Sequence, residues 1–154
     1  NIPVQRCLVH IQRMCRVWLT QHPKTEAGTE LRKIVSRLHL ITTTLQRDYW
    51  VISLVQWHKQ YESFLNEKSY QPTTGRYWYK HKLVRRSFTV IKRALPDMFH
   101  YLDNPRIPKS TNGIESFFGH LKGNLNIHRG LTLQHRKHFI IWYLLLRNGS
   151  AKFF

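Results

Sequence analysis

Apolar residues recur at intervals of three and four through most of this chain, and that spacing predicts helices. Leu8, Ile11, Met14 or Cys15, and Trp18 fall on one face, so a first helix is expected to begin near His10. Ahead of it, residues 1–7 carry Ile2, Pro3 and Val4 and read as an edge-like strand or an extended lead-in. A connector at 21–28 contains Pro23. Thr25 can then cap a helix with Leu31, Ile34, Val35, Leu38 and Ile41 on one side and Arg32, Lys33 and Arg37 on the other. Three threonines at 42–44 suit a break and a cap, because β-branched side chains lose rotamer freedom inside a helix. From 45 to 66 a long helix is predicted, with Trp50, Leu54, Trp57, Tyr61, Phe64 and Leu65 as a core stripe. A polar loop at 70–75 leads to another helix with Val84, Phe88, Ile91 and Leu95 inward, and Pro96 stops or kinks it. Two further helices follow. One is built on Ile114, Phe117, Phe118 and Leu121; the other spans 132–147 with Phe139, Trp142, Tyr143 and Leu146 expected inward and Asn148-Gly149-Ser150 ending it.

Composition adds charge to this helical picture. The 154 residues are 42% hydrophobic and 13% aromatic, enough for a core in one domain. Lys plus Arg number 25 against 8 Asp plus Glu, a formal charge of +17. A folded chain this basic meets a polyanion, and nucleic acid suits the mix of Arg, Trp and Tyr. An anionic membrane is the weaker candidate, since the charge is spread along the chain and no apolar run reaches a membrane span. Basic and aromatic residues interleave most densely at 76–82, and Lys80, Lys82, Arg85 and Arg86 are the candidate DNA contacts there. A solvated basic helix over packed aromatics explains the same pattern. Two cysteines are too few for a disulfide scaffold and fit a reducing location. No signal peptide is expected, and the 154 residues carry no internal repeat or phosphate-cradling glycine loop.

Two stretches carry candidate chemistry. Cys7-x-x-His10 has the residue types of half a zinc site, which Cys15 and His22 could complete, but the second pair has the wrong spacing for common zinc fingers. A buried thiol and a hydrogen-bonded histidine are the simpler reading. The second stretch is Ser110-Thr111-Asn112-Gly113-Ile114-Glu115, with Lys122 seven residues after Glu115. Seven residues are about two helical turns, so the carboxylate and the ammonium share a face. Glu115 reads either as the acid of a capping box with Asn112 or as a metal-binding carboxylate.

These residues resemble the third acidic position of DDE transposases, most closely the Mutator-like branch and its bacterial insertion-sequence relatives. Gln5-Arg6-Cys7-Leu8-Val9-His10 resembles the Cys-x-x-His element that follows the second catalytic Asp there, Pro23-Lys24-Thr25-Glu26-Ala27 a connector, and His128-Arg129-Gly130-Leu131 a turn of the bacterial relatives. The resemblance implies that Glu115 is the catalytic, metal-binding Glu of the triad. Lys122 and Arg129 would contact DNA, and Cys7 and His10 would form a structural lock near the active site. It also implies that the two Asp precede Asn1, that the chain is a cut piece of a longer protein, and that this piece alone is inactive. Asp97 and Asp103 have no counterpart in the family, and Asp97 follows Pro96 as a first-turn residue would.

The expected fold is mainly α with at most one short strand. Residues 1–10 would end a ribonuclease-H-like core, 11–104 would be a helical insertion, and 105–154 would return to the core with Glu115. The implied activity is Mg²⁺- or Mn²⁺-dependent DNA strand cleavage and transfer, with the metal held only together with the upstream Asp residues. The implied partners are transposon ends and target DNA, in a dimer or larger assembly of the whole protein, in a bacterial cytoplasm at the nucleoid. A non-catalytic helical nucleic-acid-binding module and an inactive transposon relic are the alternatives.

Overall fold

The computed structural model describes residues 4–149. The expected lead-in at 1–3 and the helix stop at Ser150 lie outside them. Among the described residues the protein is mainly helical. The chain falls into two compact units, 1–110 and 111–154.

In the first unit, residues 4–7 are not a strand, and α1 (Leu8–Leu19) starts two residues before the expected His10. Cys7 is its extended N-cap and Leu8, the first apolar position, is already buried. Thr25 caps α2 (Glu26–Ser36) as expected, its hydroxyl accepting from the Gly28 amide at 3.2 Å. The helix expected to run on to Ile41 instead ends at Ser36, and a short 3₁₀ turn, Leu38–Leu40, lets Leu38 and Ile41 reach the core from a tighter winding. Thr43 and Gln46 form a reciprocal capping box at the start of α3 (Thr44–Asn66), so the threonine run is the break that residue chemistry predicts.

The α3 stripe is core. Trp50, Leu54, Trp57 and Leu65 are buried, and the indole N–H groups of Trp50 and Trp57 donate to the Ile34 and Ala27 carbonyls at 2.8 and 3.0 Å. Helix α4 (Lys82–Ala94) packs Ile91 and Ala94 into the same core, with Phe88 ring to ring on Trp57 at 5.5 Å. Pro96 falls in a 3₁₀ turn, Leu95–Asp97, and α5 (His100–Asp103) follows. Two short strands, β1 (Lys68–Tyr70) and β2 (Tyr77–Tyr79), pair antiparallel where a loop and at most one strand were expected. The hairpin forms because the segment alternates Tyr77 and Tyr79 with Trp78, a β-favouring pattern that its high charge disguises.

The second unit is a pair of helices, α6 (Asn112–Ile127) and α7 (Leu133–Gly149). Their seam joins Phe117 of α6 to Tyr143 of α7 at 5.6 Å, Phe139 stacks on Tyr143 within α7 at 6.3 Å, and Leu121 is buried. Trp142 and Leu146, expected inward, are 62% and 66% exposed, and Ile114 and Phe118 are also exposed. Two helices cover only the seam between them, so a wide apolar stripe cannot all be buried in the pair. No helix of the described residues is long and apolar enough to cross a membrane.

Candidate nucleic-acid interface

Three groups of candidate residues take their places in this frame. The first is the Cys7–His10 element. Cys7 is half-buried and His10 exposed at the first turn of α1. The chain around them is tied to distant segments: the Leu8 amide donates to the Lys109 carbonyl at 3.1 Å and the Arg6 amide to the Asp97 carbonyl at 2.7 Å. Gln5 reinforces the junction, its Nε2 donating to the Met98 carbonyl at 2.8 Å and its Oε1 accepting from the Tyr101 amide at 3.2 Å. The ammonium of Lys109 donates to the Ile41 carbonyl at 2.8 Å, which also accepts from the Tyr101 hydroxyl at 3.0 Å. Gln5 and Lys109 were not singled out in the sequence as anchors. Their contacts span more than sixty residues, beyond the reach of local pattern.

Cys15 is not placed to complete a zinc site. It is fully buried, its thiol faces the Ser87 carbonyl at 3.9 Å, and burial pushes its pKa up to about 12, the opposite of what a metal thiolate requires. Asp97 faces Arg6 and His100 at 3.9 and 3.8 Å. Among the described residues no group of three or more His, Cys, Asp or Glu could hold a metal ion.

The second group lies on α6. Thr111, not Asn112, is the N-cap residue, which puts Asn112 inside the first turn with Glu115. The Thr111 hydroxyl donates to Glu115 Oε1 at 2.5 Å, and the Glu115 amide donates to the Thr111 carbonyl at 2.9 Å. Glu115 is exposed, as is Lys122 two turns along the same unbroken helix. Hard divalent cations need several oxygen ligands, so this donor set, one carboxylate with an oxygen already engaged, does not fit Mg²⁺ or Mn²⁺ by itself.

Past Glu115 the unit turns cationic. Lys122, Leu125, Asn126, Arg129 and Arg136 line a recess of about 240 Å³ with no carboxylate in its wall. The Arg129 Nε donates to the Asn126 carbonyl at 3.1 Å, which fixes the side chain at the end of α6. Lys122 and Arg129 were expected at a DNA contact; Arg136 was not. It comes from the first turn of α7, where the Thr132 hydroxyl accepts from the His135 amide at 3.3 Å and the Arg136 amide donates to the Thr132 carbonyl at 2.9 Å. Three cations around one recess suit a phosphate group.

The third group is the hairpin and the start of α4. Lys82 is exposed, and Lys80 lies 3.6 Å from Glu67. Arg85 packs its guanidinium over the Tyr79 ring at 3.8 Å while donating to the Leu65 carbonyl and Asn66 Oδ1 at 3.2 and 2.7 Å, so it braces the hairpin against α3. Arg86 sits over Trp18 at 4.4 Å. Comparison of the chain with protein-family models, with curated proteins and with solved structures finds no match.

Proposed function

We propose that residues 1–154 are the carboxy-terminal section of a DDE-type transposase, a DNA-binding part that contributes Glu115 to metal-dependent strand cleavage and transfer. The observation that supports it best is the junction between the two stretches that carry the resemblance. The segment of Cys7 and His10 and the segment leading into the Glu115 helix are 101 residues apart, yet bond directly through the Leu8 amide and the Lys109 carbonyl.

In this reading the helices between those stretches are the insertion of a ribonuclease-H-like core. Glu115, together with two aspartates from outside these residues, would hold the divalent metal ions, whose chemistry there would be activation of the attacking oxygen. This chain's own residues do the rest. Thr111 orients the Glu115 carboxylate, and the Lys122, Arg129 and Arg136 recess holds a phosphate of the bound strand two turns along the helix.

A second reading is favoured by the same Thr111–Glu115 bond, which is what a carboxylate stabilising a helix start would make. The protein is then a basic helical nucleic-acid-binding module. Replacing Glu115 by Gln in the whole protein separates the two. The transposase reading expects strand cleavage to disappear while DNA affinity holds or rises, because a negative charge near phosphates is removed. Unchanged cleavage, or a protein whose only defect is a lower melting temperature, rejects it. The isolated 154 residues are expected to bind DNA without cutting it.

A further inference from the structure

The hairpin has two unlike faces. Its register pairs Lys68 with Tyr79, Ser69 with Trp78 and Tyr70 with Tyr77. The pairing continues at both ends, since the Gln71 amide donates to the Arg76 carbonyl at 2.8 Å and the Lys80 amide to the Glu67 carbonyl at 3.0 Å. Side chains alternate across a strand, so Lys68, Tyr70, Tyr77 and Tyr79 share one face and Arg76, Trp78 and Lys80 share the other.

On the tyrosine face the protein's own cations lie against Tyr77 and Tyr79, while Tyr70 and Tyr77 stay 62% and 53% exposed. Lys68 lies 4.2 Å from the Tyr77 ring centre, and Arg85 covers Tyr79. The opposite face is open. Trp78 is 53% exposed and its cross-strand neighbour is only Ser69, too small to cover an indole. A cation stands two residues to each side, Arg76 toward the loop and Lys80 toward α4, the latter shared with Glu67. An exposed large aromatic between cations has the two parts that hold a nucleotide: a flat apolar ring for the base and positive charge for the flanking phosphates.

From this arrangement we infer that the Arg76–Trp78–Lys80 face of the hairpin is a stacking site for an unpaired base of single-stranded DNA. Within a duplex both faces of each base are covered by its neighbours, so an indole on a flat sheet face can stack only on a base that is unpaired or terminal. The inference rests on the proposed function in one respect: strand cleavage at staggered positions leaves DNA ends with unpaired bases.

The test measures binding of the 154-residue chain to a short labelled single-stranded oligonucleotide, to its blunt duplex, and to an RNA of the same sequence. Trp78→Ala should weaken single-strand binding by at least about fivefold and change duplex binding by less than about twofold. Trp78→Phe should restore most of the loss, because a ring remains. Arg76→Gln should lower the salt dependence of single-strand binding by roughly 0.7 in the log–log slope. Trp78 is on the surface, so an unchanged melting temperature certifies the variants as folded. Equal losses on single strand and duplex place the indole in a groove and overturn the inference, as do no loss at all or no single-strand binding by the parent chain. Tenfold tighter binding to RNA overturns the assignment to DNA. If the whole protein cuts DNA in a Glu115-dependent way while Trp78→Ala binds normally, the stacking site falls and the proposed function stands. A Trp78-dependent, single-strand-selective chain with Glu115-independent behaviour gives the reverse.

Discussion

Cys15 shows how burial fixes the chemistry of a single residue. Its thiol is enclosed by α1 and α4 against a backbone carbonyl, and its pKa stands at about 12 instead of the ordinary 9.0. In the unfolded chain the thiol ionises near its ordinary value, so the folded state loses relative stability as pH rises from there to about 12, and gains nothing from this group at lower pH. Denaturant melts should therefore show a falling unfolding free energy above pH 9, with a shallower fall in Cys15→Ala. At pH 8 the thiol should resist alkylation in the native chain and react on unfolding, which peptide mass spectrometry can follow at Cys15. Tyr101 offers a second residue-level measurement. Its hydroxyl is raised in pKa by burial and donates to the Ile41 carbonyl, which Lys109 also reaches. Tyr101→Phe should cost about 1 kcal/mol in urea unfolding, the usual net worth of such a bond. No measurable cost would mean that Lys109 alone satisfies the carbonyl.

At the level of elements, the turns and caps were legible and the hairpin was not. Thr25 and Thr43 were readable as caps because a hydroxyl beside the first helical turn satisfies an orphan amide wherever it occurs, a local rule. Thr43→Ala should lower stability by about 1 kcal/mol through the lost capping box, measured as a shift in the urea midpoint. The β1–β2 pairing depends instead on Arg85, which lies over Tyr79 and reaches back to Leu65 and Asn66, and on a turn in which Gly75 takes φ +65° with open space where a Cβ would lie. Gly75→Ala meets no clash, so its whole cost is the left-handed backbone, about 1 kcal/mol. Faster amide exchange confined to the hairpin would register it, and exchange that speeds up throughout the core would mean that the hairpin supports more than itself. Helix α7 marks the opposite failure. Its apolar spacing gives a correct helix but cannot say which side meets a neighbour, so Trp142 and Leu146 were assigned inward and are exposed. The site was half legible for the same reason. Lys122 follows from helical periodicity relative to Glu115, while Arg136 reaches the recess only because α7 folds back on α6.

For the molecule as a whole, the question is whether a net charge of +17 acts as a diffuse cloud or through built contacts. A diffuse cloud binds any polyanion, and neutralising one cation has nearly the same effect wherever it stands. Built contacts are unequal. Arg136 shares a carboxylate-free recess with Lys122 and Arg129, whereas Arg47 on α3 is already paired with Asp48 at 2.9 Å. Duplex affinity measured against salt concentration distinguishes them, since each lost phosphate contact removes about 0.9 from the log–log slope. Arg136→Gln should lower the slope by about that amount and weaken binding at low salt, while Arg47→Gln leaves the slope unchanged. The recess is the contact if the two variants differ in this way. If they shift the slope equally, the charge is spread, the recess holds no phosphate, and the placement of bound DNA beside the Glu115 helix has to be abandoned.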